Sequence, residues 1–337
     1  MTDQIELISL KAGDKVDHYF ILQKSEVKLS RTNKNYLDLE FRDKSALISG
    51  KIWDNFDNIL LQLKNGCLVK VRGLIESYQG SNQLKIERIR IAAPEDNVFH
   101  EDFLPKSQKD FGKMKEELAG RIENIENVYL KKLLNRILTG EQFEKYLRVP
   151  AGKAWHHAYV HGLLEHTLEI IKICDLMCDI HPEINRDLLI TGAVLHDFGK
   201  TEELTFAPTF DYTEKGRLLG HITIAAMEIE KQSAEIEDFP ENLKNQLLHL
   251  VLSHQGKLEF ATPVEPKTLE AITLYLADEL SAKTNAYKNA IAEARASGEL
   301  TGNFTKFIRL ANTALYSPPD NSAENNEGEF KGNLFDQ

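Results

Sequence analysis

The sequence predicts a multidomain molecule in which a small all-β barrel is followed by an all-α helical bundle. Three observations carry that expectation. Apolar residues alternate with a period of two over residues 14–92, they recur at spacings of three and four from about 114 to 316, and histidines and aspartates are set into that second stretch. A chain of 337 residues is long enough to bury two cores.

The barrel rests on five short strands. In YLDLEF (36–41), Leu37, Leu39 and Phe41 alternate with Tyr36, Asp38 and Glu40. ALISGKIW (46–53) puts Ile48 and Ile52 on one side and Lys51 and Trp53 on the other. CLVKVRGLIESY (67–78) and QLKIERIRI (83–91) repeat the alternation and are joined by a turn at QGSN (79–82). Five such strands in about 80 residues suit an OB-fold over residues 1–93. The outward set comprises Tyr36, Lys51, Trp53, Lys70, Arg72, Tyr78 and Lys85. Aromatic rings among cations form a surface on which bases of a single strand can stack. The plainer reading is that Tyr36, Trp53 and Tyr78 only cover the barrel ends.

Residues 94–113 have Pro, Asp, Asn and Phe without a period and read as a linker with one or two anchor points. Residues 114–316 read as the helical domain. MKEELAGRIENIENVYLKKLLNRIL is an amphipathic helix pair, and further helices are expected near 160–180, 186–197, 221–235, 241–254, 266–295 and 302–315. The tail from Ser317 to Gln337 is polar with two prolines and is expected to be disordered; its GNLFDQ end could serve as a docking peptide for a protein partner.

Composition narrows the class. Apolar residues are 42% and charged residues 28% of the chain, the balance of an ordinary globular protein. An apolar run of 18 residues is missing, which argues against a membrane span, and the N-terminus lacks the pattern of a signal peptide. The three cysteines are not in zinc-like spacing, and Cys174 and Cys178 read as small core or boundary residues. The expected compartment is the cytoplasm. The net charge of −11 would argue against a nucleic-acid partner if it were evenly spread. Residues 1–93 hold 15 Lys+Arg against 12 Asp+Glu, a balance of +3, so the remainder carries −14. A local patch on the N-terminal module can still meet nucleic acid.

The chemistry lies in the helical region. His196 and Asp197 close the apolar helix LLITGAVLHDFGK, where neither has an apolar reason to be. His166 lies among Leu163, Ile170 and Ile173, and His221 opens GHITIAAMEIE. His254 shares a face with Leu247, Leu250 and Val251, and Asp278 one with Leu274 and Tyr275. A polar ring or carboxylate on a buried face needs a partner. Any one such histidine is more often a hydrogen-bonded core residue. Together, four imidazoles and two carboxylates supply ligands for one or two divalent ions, with Mn²⁺, Fe²⁺, Mg²⁺ and Zn²⁺ all compatible. Such ions activate water and clamp phosphate oxygens, and a carboxylate such as Asp197 can bridge two of them.

The order H…HD…D, carried by His166, His196-Asp197 and Asp278, resembles the HD-domain metal-dependent phosphohydrolases. A barrel ahead of WHHAYVHGLLEHT, LHDFGK, RLLGHI and SHQGKLEFATPVEPKTLEA more closely resembles the YhaM family of 3′–5′ exoribonucleases, over roughly residues 14–310. The resemblance implies one metal on His166, His196, Asp197 and Asp278, and a second on Asp197, His221 and His254. It implies manganese as the leading choice, Asp197 and Lys200 as catalytic residues, and Lys200 aimed at the scissile phosphate. His156 and His157 would contact substrate or support a ligand; two exposed loop histidines are the alternative. Substrate would meet Tyr36, Lys51, Trp53, Arg72 and Tyr78 on the barrel. Gln255 is a departure, since relatives often have a second His there. The implied activity is metal-dependent hydrolysis of single-stranded RNA, with DNA a further candidate, to nucleoside monophosphates. A homo-oligomer is compatible. The rivals are a nucleotide or cyclic-nucleotide phosphohydrolase of the HD class, and a non-catalytic single-strand-binding protein.

Overall fold

In a computed structural model of the chain, the residues described are 4–30, 32–78, 81–205 and 210–319. Five strands form a closed barrel in the order β1-β2-β3-β5-β4: β1 (Lys15–Leu29), β2 (Asn35–Arg42), β3 (Leu47–Ile52), β4 (Leu68–Tyr78) and β5 (Ser81–Ile91). The 15-residue β1 makes closure possible. Its first half pairs with β4 (Lys15↔Leu74 to Ile21↔Leu68) and its second half with β2 (Ile21↔Arg42 to Leu29↔Asn35), with a register shift at Leu22/Lys24 where the strand turns the corner. A short parallel pairing of β3 with β5, Ser49↔Gln83 to Lys51↔Lys85, shuts the ring. A second irregularity at Arg72/Gly73 brings β4 so close to β5 that a Cβ on Gly73 would lie 2.2 Å from the Lys85 carbonyl oxygen.

The alternation in the sequence places the core. Leu37, Leu39 and Phe41 point inward with Phe20, Leu22, Val69, Val71, Ile75 and Leu84. Each such side chain contributes roughly 1.5–3 kcal/mol by leaving water. Of the expected turn at 79–82, Gln79 and Gly80 lie outside the described residues. Ser81 and Asn82 already belong to β5, opposite Tyr78 and Ser77. A short helix, α1 (Asp57–Leu60), follows β3.

The helical part begins at α2 (Phe111–Glu123), followed by α3 (Val128–Ile137), α4 (Gly140–Arg148), α5 (Gly162–Ile180), α6 (Arg186–Leu195) and the single turn α7 (Lys200–Glu203). Side chains of Asp110 and Asn127 accept the free N–H groups at the starts of α2 and α3, and Asn185 does so for α6. A two-residue ribbon, β6 (Leu204–Thr205) and β7 (Asp211–Tyr212), leads to α8 (Glu214–Ala234), α9 (Glu241–Ser253) and α10 (Leu269–Ala296). Every residue from Leu188 to Leu195 is buried, so α6 is the central rod of this bundle.

Three expectations need correction. The segment 302–315 is not helical: it forms turns and isolated bridges, Thr301↔Phe304 and Ile308↔Thr313 among them. Gly302 and Asn312 adopt left-handed backbone there (φ +60° and +52°), which an α-helix cannot absorb. Helix α8 starts seven residues before His221, and Gly220 (φ +72°, ψ 152°) breaks it. Helix α4 was not anticipated. The chain resolves into two compact units, one from Met1 to Ala282 and one from Lys283 onward. In the second, the Arg295 guanidinium donates to Ser317 Oγ at 2.5 Å, and Phe304 meets Tyr316 edge-on. The expected disordered tail falls, from Asp320, outside the described residues.

A candidate metal centre in the helical bundle

Five helices deliver six ligand-type side chains to one place. His166 comes from α5, and His196 and Asp197 from the C-terminal end of α6. His221 follows the Gly220 break in α8, His254 caps the end of α9, and Asp278 lies on α10. His166, His196 and His254 are fully buried, and Asp197 is 2% exposed.

Asp197 is the hub. Its Oδ2 lies 3.3 Å from His196 Nε2 and 4.0 Å from His166 Nε2, and its Oδ1 lies 3.3 Å from His221 Nε2 and 3.7 Å from His254 Nε2. The two oxygens of one carboxylate thus face two different pairs of imidazoles. Two ligand groups share it: His166, His196 and Asp197, and Asp197, His221 and His254, each with ligand atoms within 4.8 Å of one another. Asp278 Oδ1 joins the first group at 3.0 Å from His166 Nε2.

The far side of each ring fixes which nitrogen faces inward. His196 Nδ1 donates to the Ala193 carbonyl (2.8 Å) and His254 Nδ1 to the Val251 carbonyl (2.7 Å). His221 Nδ1 donates to Glu203 Oε1 (3.0 Å), which also accepts the His221 backbone N–H. Ser281 Oγ donates to Glu169 Oε2 (2.9 Å), so it accepts from His166 Nδ1 at 3.0 Å. Assigned from these networks, all four rings carry the proton on Nδ1 and turn an Nε2 lone pair toward Asp197.

This arrangement fits a divalent cation. Among the described residues, buried His196 Nε2, His221 Nε2 and Asp197 Oδ1 have no hydrogen-bond partner. A bare Nε2 lone pair on His166, 3.0 Å from a carboxylate oxygen of Asp278, is a repulsion between acceptors unless a cation lies between them. A proton is not that cation, because burial, reinforced by nearby His157, holds the His166 imidazolium pKa well below its ordinary value. Burial likewise lowers His254 to about 4, with His196 adding to the shift. Burial would raise the Asp197 carboxyl, but Lys200 and His196 overrule it and hold the group well below the carboxylate range. The centre therefore presents His166 and His254 as neutral imidazoles beside an ionised carboxylate, as metal binding requires, while burial of His196 is outweighed by the adjoining Asp197, which raises its pKa.

The neighbours complete the site. Lys200 is buried, with its ammonium on Asp197 Oδ2 (2.5 Å) and on the Ala151 carbonyl. His156 and His157 are not exposed loop residues. The His156 ring lies 4.9 Å from His166 and its Nδ1 is buried, while His157 is fully buried and its Nε2 donates to Glu169 Oε2 at 3.1 Å. Gln255 turns its amide Nε2 to His254 Nε2 at 3.1 Å. Two close backbone approaches set the frame: a Cβ on Gly162 would lie 1.9 Å from the His157 carbonyl oxygen, and one on Gly199 would lie 2.0 Å from that of His221. The sequence reading had no role for Glu203, Glu169 or Ser281. Glu169 lies three residues after His166 on one helix, a spacing that could have flagged it.

On the barrel, Tyr36 stacks on Trp53 (ring centroids 4.8 Å apart), and Lys51 Nζ lies 5.6 Å from the centroids of both Tyr36 and Tyr78. Trp53 and Tyr78 are more than half exposed. An open cavity of about 610 Å³ is lined by Lys51 and Trp53 together with Asn55, Lys85 and Arg88. Arg72 and Lys70 do not join the aromatic group: Arg72 pairs with Glu87 at 3.7 Å, and Lys70 with Asp17 at 3.5 Å.

Comparison with known proteins agrees with this geometry. The family model described as HD domain matches residues 163–283, and the OB-fold nucleic acid binding domain matches residues 21–92. The chain is 32% identical over 308 residues to a protein of Bacillus subtilis named 3′-5′ exoribonuclease YhaM, covering 91% of this chain and 96% of that one. A protein of the same name from Oceanobacillus iheyensis is 34% identical over 317 residues, 94% and 97% of the two chains. The Listeria innocua protein is 32% identical over 314 residues, 93% and 98%.

Proposed function

The chain belongs to the YhaM family of 3′–5′ exoribonucleases, and from that premise we propose that it hydrolyses single-stranded RNA from the 3′ end to nucleoside monophosphates. The observation that carries this reading is the single Asp197 carboxylate with its two oxygens turned to two sets of imidazoles, an arrangement in which one carboxylate could serve two divalent ions. His166, His196, Asp197 and Asp278 would hold one divalent ion, and Asp197, His221 and His254 a second, with manganese the favoured metal. Bound there, such ions supply Lewis acidity that activates water and offsets charge on the phosphate.

The protein's own groups do the rest. Asp197 stays ionised at neutral pH under the influence of Lys200 and His196, so it can serve both sets at once. Lys200 holds a positive charge against that carboxylate, and its contact with the Ala151 carbonyl fixes the loop that carries His156. That placement supports electrostatic tuning of Asp197 over direct reach to the scissile phosphate. Glu203 and Ser281 hold the rings of His221 and His166 from behind. His157, with its ring buried against Glu169, is suited to supporting this shell, and the His156 ring lies as close to His166 as that of His157, 4.9 against 5.0 Å. Tyr36, Lys51, Trp53 and Tyr78 would grip the strand by stacking and phosphate contact.

The test is a time course with Mn²⁺ on 5′-labelled and 3′-labelled single-stranded RNA, run beside Asp197→Asn. A descending ladder from the 5′-labelled strand with immediate mononucleotide release from the 3′-labelled one, both lost in the variant, is expected. An intact strand with rapid hydrolysis of mononucleotides would overturn the exonuclease reading in favour of a nucleotide phosphohydrolase.

A further inference from the structure

Residues 103–109 form a strap between the barrel and the metal centre. At its start, Phe103 and Leu104 are buried with Tyr19, Ile21 and Leu68 of the barrel, and with Val160 and Phe210 of the helical part. Its middle runs beside the loop that follows His157: Val160 N–H donates to the Pro105 carbonyl at 2.8 Å, and Ser107 N–H to the Val160 carbonyl at 3.0 Å. At its end Lys109 reaches α5, the helix of His166, with its ammonium 3.1 Å from Glu165 Oε1 and 2.8 Å from Glu169 Oε1. Ser107 Oγ donates to the other Glu165 oxygen at 2.5 Å.

His157, Glu165 and Glu169 form a cluster that could hold a cation, and the Lys109 ammonium supplies one. Glu169 divides its two oxygens. Oε1 takes Lys109, while Oε2 accepts the Ser281 hydroxyl at 2.9 Å and His157 Nε2 at 3.1 Å. With its own proton committed to Glu169, Ser281 must accept from His166 Nδ1. The chain of contacts therefore runs from the strap through Lys109, Glu169 and Ser281 to a ring that faces the first metal position.

We propose that Lys109, Glu169 and Ser281 are a positioning relay that ties the strap packed under the barrel to the lone-pair orientation of His166, and so sets the metal affinity of the first site. Turning the Ser281 hydroxyl away from Glu169 would let it donate to His166 Nδ1, moving the ring proton to Nε2, where it would block the metal. The charged Lys109 keeps Glu169 in place as the acceptor that prevents this, and the strap's packing on barrel residues fixes Lys109. The relay deepens the exonuclease reading and rests on it for its catalytic consequence only.

The experiment measures Mn²⁺ binding to the metal-free full-length chain by calorimetry and electron paramagnetic resonance, without RNA, and then kcat and KM on single-stranded RNA. Loss of such an outer partner typically weakens metal binding 10–100-fold, so Ser281→Ala is expected to lower affinity about tenfold or more and Lys109→Met by roughly threefold. In both, kcat falls while KM holds, Lys109→Arg restores most of the loss, and Lys172→Met on the outer face of α5 changes nothing. Unaltered Mn²⁺ affinity and kcat in Ser281→Ala and Lys109→Met would overturn the relay. So would losses that track a fall in melting temperature and a rise in KM, since Lys109 would then only hold the fold together. If the wild-type chain left RNA intact, the exonuclease reading would fail while the Mn²⁺ titration still judged the relay.

Discussion

The histidine centre and the aromatic face of the barrel are built on opposite principles. In the centre nearly every polar atom is buried and assigned: each ring has one nitrogen committed to a carbonyl, carboxylate or hydroxyl, and the other turned inward. On the barrel, Tyr36, Lys51, Trp53 and Tyr78 contact one another at an open surface, with Trp53 53% and Tyr78 58% exposed. A buried network concentrates function in few atoms, whereas an exposed face spreads affinity over many weak contacts. Substitutions should therefore separate cleanly, all-or-none in one region and graded in the other.

The largest effect tests that separation directly. Asp197→Asn should lower kcat by a factor on the order of 10³ or more, the scale of losing a central catalytic group, while the dissociation constant for an uncleavable oligonucleotide moves less than about twofold. Strand binding that collapsed with turnover would merge the two regions into one. Next is the cost of burying neutral imidazoles. The His254 pKa is about 4 in the folded chain against 6.5 for the free residue, so below pH 6.5 protons favour the unfolded state. This site contributes stability that is whole above pH 6.5 and is lost as the pH falls toward 4, about 3 kcal/mol in all. Chemical denaturation of the metal-free protein should show the decline between pH 6.5 and 4.5, and His254→Gln should make it shallower, leaving the share of buried His166.

The graded effects belong to the barrel. Trp53→Ala removes a stacking surface worth about 1–3 kcal/mol per base, so KM for RNA should rise roughly tenfold with kcat unchanged. Smallest is Lys51→Met, which should reduce the slope of log affinity against log salt by about 0.7 for one lost phosphate contact, at modest cost in affinity. A fall in kcat from either variant would show that the barrel face shapes the chemistry as well as the grip.

Much of this plan was legible in the sequence, for identifiable reasons. A strand buried on one face writes its orientation in every second residue, as Leu37, Leu39 and Phe41 do. His196-Asp197 stood out because a buried helix has no apolar use for them. The supporting groups were hidden because Glu169, Glu203 and Ser281 look like ordinary surface residues until the fold turns them to a ring. Arg72 and Tyr78 lie on one strand with similar spacing, yet only Tyr78 joins Lys51, since the partner strand places Glu87 beside Arg72. Segment 302–315 has helical spacing, but its left-handed Gly302 and Asn312 select turns.

Gly162 and Gly199 carry no chemistry, yet each leaves its neighbour's backbone no room for even a methyl group, beside His157 in one case and His221 in the other. For anyone recasting this enzyme toward another metal or substrate, the freedom to edit is inverted from intuition. A donor exchange such as Asp197→Asn alters the chemistry while keeping the side chain's volume, whereas any side chain at either glycine meets backbone. The two glycines are the fixed points of the design, and a library that spares them while varying every ligand will search more of the accessible chemistry than one built the other way round.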